Sequence, residues 1–255
     1  MHDGLASLLA ELETIEEGDP ERWALLVEEI SSFGLDALES LVLGQTPLSH
    51  MGMHLSQDVV SAIRDPLAIP MLVSLLTQTD RTNTVYALAA EEALKQIGSP
   101  AIPALTPNTP WAHGMDTVCG ILAAIGDTRC TVPLVGWMED GIRSGDVTDM
   151  PSIIWALGRL GAVEALNVAL AQPQADIRIA VFNALPHTRP ESQTSSVHLL
   201  HDPEASVRQC AALWLMKWGE PTRIPELEAC LQDGDRRVRR TARNAIGAIR
   251  ARMIR

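Results

Sequence analysis

The feature that most constrains this chain is a dipeptide that keeps returning. Ile177-Arg178, Val207-Arg208 and Val238-Arg239 follow one another at intervals of thirty and thirty-one residues. Around the middle copy, residues 202–235 read DPEASVRQCAALWLMKWGEPTRIPELEACLQDGD. Asp202-Pro203 stops whatever helix precedes it, because proline has no N–H to donate and biases its predecessor away from helical torsions. Val207, Ala211, Trp214, Leu215 and Trp218 then recur at helical spacing, which predicts one inward stripe carrying both tryptophans. Gly219 is expected to end that helix as a left-handed cap. Pro221 opens a second helix with Ile224, Leu227 and Leu231 on its buried side. Neither helix could hide such a face alone in water, so each needs neighbours, and the unit must stack on copies of itself.

Upstream segments can be laid against this unit. Leu5, Leu8, Leu9, Leu12 and Ile15 give the first segment an apolar face opposite Glu11, Glu13, Glu16 and Glu17, as a terminal cap requires. Ile69-Pro70, Ile102-Pro103 and Val132-Pro133 are equated with Ile224-Pro225 at the start of second helices. This equation places Trp137 at the position of Ser74 and Ala229, facing away from the core stripe, with Val168 on the same path. In the sixth copy Gln193 and Ser196 fall where Ile224 and Leu227 stand, so its second helix reads as polar.

The Val207-Arg208 pair with Ala211, the Gly219 turn and Ile224-Pro225-x-Leu227 resemble a HEAT repeat, in the short form found in phycobilisome lyases. The resemblance implies an all-α, right-handed α-solenoid of about seven to eight two-helix repeats, here one domain over 1–255. Residues 1–45 would form an acidic, degenerate N-terminal cap, and 235–255 a basic C-terminal capping helix. It also implies an Asp–Arg ladder between repeats, matched by Asp202/Arg208 and Asp233/Arg239, while Gln172 stands at the ladder position before Arg178. Second helices would line a concave side, with Trp137 facing that groove.

Charge is spread unevenly over the chain, whose formal net charge is −12. Residues 1–45 hold eleven acids against Arg22 alone, whereas residues 201–255 hold seven acids and eleven basic residues. The four cysteines show no CxxC spacing, and Cys210 and Cys230 are expected to serve as small core hydrophobes in a reduced, cytoplasmic setting. No apolar run approaches the ~18 residues of a membrane helix. His50 and His54 are spaced as a metal pair without a third ligand, and His198, His201 and Asp202 are close only in sequence, so no metal site is assigned.

Phosphate loops, nucleophile elbows and paired metal-ligand motifs are missing from the sequence. The reading is therefore a non-enzymatic scaffold that needs no cofactor and holds another protein or peptide in its groove, where acids would favour a basic partner by steering. The binding residues would be Trp137, the acids Glu139, Asp140, Asp146 and Asp149 after it, and Trp111 with His113 at the tip of the TPNTPWAHG loop. Two other readings stay open. The short-repeat resemblance implies a phycobilin lyase-like subunit that handles a chromophore. The Arg-rich last helix, with Arg236, Arg237, Arg240 and Arg243, would suit a polyanion such as nucleic acid. The iron-binding HEAT enzyme deoxyhypusine hydroxylase uses His-Glu pairs, and none of the seven histidines here is followed by Glu.

Overall fold

A computed structural model describes residues 3–12, 20–43, 50–77, 81–106, 114–184 and 197–253. Among these residues the regular structure is helical throughout, with no strand. The chain divides into two compact units, Met1–Pro133 and Leu134–Arg255. The sixth-copy segment holding Gln193 and Ser196 lies outside the described residues.

In the first unit the helices are α1 (Asp3–Leu12), α2 (Pro20–Ser31), α3 (Leu35–Leu43), α4 (His50–Ala62), α5 (Ile69–Thr77), α6 (Arg81–Ile97), α7 (Ile102–Leu105) and α8 (Gly114–Ile125). Helix α9 (Thr131–Ser144) begins at the end of this unit and runs into the second. There follow α10 (Met150–Leu160), α11 (Val163–Leu170), α12 (Ala175–Ala184), α13 (Ala205–Trp218), α14 (Ile224–Ala229) and α15 (Arg236–Met253). First helices pack on first helices, α2 on α4, α4 on α6 and α6 on α8 in one unit, and α10 on α12, α12 on α13 and α13 on α15 in the other. Second helices pack on first helices, as α5 does on α6 and α11 on both α10 and α12. Layer upon layer of this kind is an all-α solenoid architecture.

The inward stripes are small and aliphatic, which lets the layers approach closely. Ala90, Ala93 and Leu94 are buried on α6, Ala211, Trp214 and Leu215 on α13, and Ala242, Ala245 and Ile249 on α15. Gly158 marks the tightest crossing: a Cβ there would lie 2.8 Å from Ala184 Cβ, at the end of α12. Gly247, in the middle of α15, has open space at the same position. Gly158→Val should therefore cost about 3 kcal/mol through forced separation of α10 and α12. Gly247→Ala should add about 0.5–1 kcal/mol by restricting the unfolded chain. Chemical denaturation of the two variants checks both signs.

Two expectations about α13 are corrected. Gly219 is extended, at φ −65° and ψ 142°, not left-handed. Glycine is needed there for room, since a Cβ would sit 2.5 Å from the Leu215 carbonyl oxygen and 3.2 Å from Ile249 Cδ1. The left-handed cap occurs at Gly161 instead, which closes α10 at φ 73° with its N–H donating to Gly158 and Leu157. Trp214 is buried as expected, but Trp218 is 38% exposed, with Lys217 Nζ lying 4.9 Å from its ring centre. The reason lies in α15. Ile249 already reaches Gly219, and Arg252 donates to the carbonyls of Met216 and Gly219 at 2.6 and 2.8 Å, so the inward side of this helix end is occupied.

Candidate binding surfaces

Carboxylates at the turns join one repeat to the next. In the first unit Asp65 Oδ1 accepts from Leu67 N at 2.9 Å, capping its own 3-10 turn, while Oδ2 accepts from Leu35 N at 3.2 Å in the preceding repeat. Gly34, at φ 53°, leaves room for this reach, because a Cβ there would lie 2.7 Å from Asp65 Cβ. Asp127 repeats the device, capping Arg129 N at 2.8 Å and accepting from Ser99 Oγ at 2.6 Å. Hydrogen bonds from Arg129 and Ser99 hold the Asp127 carboxyl far below the usual carboxylate range.

In the second unit the joins run between first helices. Arg178 donates through Nε and Nη2 to both oxygens of Asp202, at 2.7 and 2.8 Å, and through Nη1 to the carbonyls of Gln172 and Pro173. Arg208 does the same with Asp233, at 2.7 and 3.0 Å, and with the carbonyls of Asp202 and Pro203. Burial pushes the Asp202 carboxyl up, yet the bonds from Arg178 and Glu204 N–H outweigh it and leave it below the ordinary range. For Asp233 the Arg208 bond is the largest cause of a downward shift. Paired, fork-to-fork geometry of this kind is strong and directional.

The second-helix side differs from expectation in register. Four of the second helices open with a 3-10 turn, at Pro66–Ala68, Ser99–Ala101, Thr128–Cys130 and Pro221–Arg223, before the α-helix begins. Aligned on these turns, Thr131 rather than Val132 is the counterpart of Ile69 and Ile102. Burial agrees, since Leu72, Leu105, Leu134 and Leu227, each three residues after Ile69, Ile102, Thr131 and Ile224, are all fully buried. Val132 thus takes the exposed position of Pro70 and is 74% exposed. Trp137 shifts with it to the register of the buried Leu75 and Cys230, and is itself half-buried. The outward path that was assigned to Trp137 is instead Ser74, Gly136, Val168 and Ala229, with no aromatic on it. The slip arose because Val132-Pro133 copies an Ile-Pro pair in letters but stands one residue further along its helix, the 3-10 turn before it being three residues long as in the other copies.

Of the four acids after Trp137, Asp140 and Asp146 are in contact with groups of their own chain. Glu139 and Asp140 are exposed on α9, where Arg143 donates to Asp140 at 2.5 Å. Asp146 accepts from Thr148 N and Oγ1 at 3.1 and 2.7 Å, and these bonds lower its pKa. Asp149 is exposed just before α10 and makes no side-chain cap to it. Trp111 and His113 lie outside the described residues. His54, His198 and His201 are exposed, Asp202 is committed to Arg178, and among the described residues no three His, Cys, Asp or Glu side chains gather as a metal would need. Cys119, Cys130 and Cys230 are buried thiols and Cys210 is half-buried.

One recess lay outside the sequence reading. Ser99, Ile102, Pro103 and Thr106 from the α7 region meet Arg129, Val132 and Pro133 around an open hollow of about 380 Å³. Its floor is apolar, and at its rim Arg129 is held to Asp127 at 2.7 Å. The only hint in the sequence was the repeated turn Asp, whose bond to Ser99 brings the two turns together.

Comparison with known proteins assigns part of the chain. Residues 166–247 match the family profile of HEAT repeats. Over that span the chain is similar to HEAT repeats. The HEAT match takes in both complete arginine–aspartate joins, and ends within α15. No curated protein matches the sequence. Among solved structures, human deoxyhypusine hydroxylase in complex with glycerol superposes at a TM-score of 0.39 with 19% identity, over 97% of this chain and 96% of that one. A designed armadillo repeat protein superposes at 0.26 with 15% identity, over 96% and 99% of the two chains. Likeness at this level carries no argument about activity or partner. Among the described residues no single helix is long and apolar enough to cross a membrane.

Proposed function

We propose that this HEAT-like chain is a non-enzymatic interaction scaffold that holds a protein or peptide segment on the second-helix side of its repeats. The observation that carries the reading is the hollow between the α7 and α9 turns, with Val132 presented to solvent beside Ile102 and Pro103. Leu67 is likewise 72% exposed on the corresponding turn before α5. A solvated helix face has no use for such side chains, whereas a docked apolar residue would cover them. Glu139, exposed on the same helix as Val132 and without a salt bridge among the described residues, favours a basic segment by steering.

A photo-reactive residue placed at Val132 should capture the bound segment in the native host. Affinity for that segment, remeasured with purified components, should fall at least about tenfold in Val132→Asp while the melting temperature stays unchanged. Equal binding by Val132→Asp would overturn the assignment of this face.

A further inference from the structure

Arg239 of the second unit is held to its own turn as Arg178 and Arg208 are, but among the described residues it has no carboxylate partner. Arg239 donates through Nη1 to the carbonyls of Asp233 and Gly234, at 2.6 and 3.0 Å. That is the grip by which Arg178 and Arg208 are held to their own turns. In those two residues the Nε–Nη2 edge then takes a carboxylate from the following repeat. Among the described residues no carboxylate accepts from that edge of Arg239, which is only half-buried. A guanidinium already fixed by two carbonyls loses little further freedom on binding a carboxylate, so the edge is prepared for a forked pair.

The surface around this edge has one sign. Arg236, Arg237, Arg240 and Arg243 are exposed on α15, and none of them has a salt bridge among the described residues. Arg250, by contrast, is paired with Glu228 at 2.8 Å, and Arg252 is bound to backbone carbonyls. The complementary surface is found in the same sequence. Residues 1–45 hold eleven acids against Arg22, and Arg22 is spent on Glu11 at 2.6 Å and Glu29 at 3.7 Å. Glu21 and Glu28 on α2 and Glu39 on α3 are exposed.

We infer that the basic face of α15 docks the acidic α2–α3 end of a second copy of this chain, one of whose carboxylates fills the Nε–Nη2 edge of Arg239. The contact is heterologous, between unlike surfaces of the two copies. It is independent of the Val132 hollow and of whatever that hollow binds. Long-range attraction of this kind weakens as salt shortens the screening length to ~3 Å at 1 M.

Light scattering and sedimentation of the full chain test the inference. Concentration-dependent association is expected at about 50 mM salt and its loss at about 1 M. Arg239→Gln should raise the dissociation constant at least about tenfold, by removing the forked pair. Arg240→Glu/Arg243→Glu, which changes only exposed side chains, should abolish association with circular dichroism and melting temperature unchanged. Mixing that variant with Glu28→Arg/Glu39→Arg should restore a heterologous pair. A chain that stays monomeric at low salt, association that both α15 variants leave intact, or a failure of the charge-swapped mixture to pair would overturn the inference. A monomer that instead binds polyphosphate through Arg240 and Arg243 would assign the face to polyanions and overturn it as well.

Discussion

Asp202→Ala is expected to destabilise the chain by about 3–5 kcal/mol, the largest effect of any single polar substitution in the second unit. The loss comes from the partner left behind. Arg178 is 7% exposed, and without Asp202 its guanidinium keeps only the carbonyls of Gln172 and Pro173. A buried cation without a counter-charge costs more than the pair contributes when intact, so Arg178→Met/Asp202→Leu should cost less than Asp202→Ala alone. The pair also has a pH signature. Asp202 and Asp233 both titrate below their ordinary range when folded. Their stabilisation is therefore complete above the unfolded carboxylate pKa of about 3.9 and is lost as pH falls through the lower folded values. Denaturation midpoints should hold steady near neutrality and drop below about pH 4, with a shallower drop in Asp202→Asn. Equal acid sensitivity in the variant would mean that other carboxylates set the limit.

Trp214→Ala should cost about 3–5 kcal/mol, and Trp218→Ala less than about 1 kcal/mol. The two residues are four apart on one helix, and only tertiary packing separates them. Trp214 is buried and meets Phe182 of α12 edge-to-face, with ring centres 5.7 Å apart and planes at 61°. Its removal leaves a cavity between two first helices that α15 cannot close, since α13 also packs along α15. Trp218 loses only contact that water already shares. Chemical denaturation of the two variants gives the comparison directly, and similar losses would place Trp218 inside the layer as well.

What the sequence by itself determined was everything that depends on residues within one turn of each other. The alternation of Val207, Ala211 and Leu215, the stops at Asp202-Pro203 and Gly219, and the thirty-residue return of an apolar residue followed by Arg define two-helix repeats, because helix phase and helix ends are local properties. That the arginines are ladder residues was implied by the resemblance to HEAT repeats, while Val207-Arg208 marks their fixed position on the helix.

The tertiary structure decided what depends on residues one repeat away. The sequence offers Asp202 and Asp233 beside the arginines that follow them. Stacking instead brings Arg178 to Asp202 and Arg208 to Asp233, with the Nη1 corner returned to the near carbonyls. Room at Gly158 and Gly219 is set by Ala184 and Ile249, on other helices. The outward turn of Trp218 follows from the position of α15 against α13. The register of Val132 and Trp137 was lost from the sequence because the Val-Pro pair stands one residue further from its turn than the Ile-Pro pairs do, and one residue of register is a rotation of about 100° around the helix. No letter pattern reports that rotation. Only the buried neighbours, Leu134 here and Leu72 and Leu105 in the other copies, reveal which face the helix has turned inward.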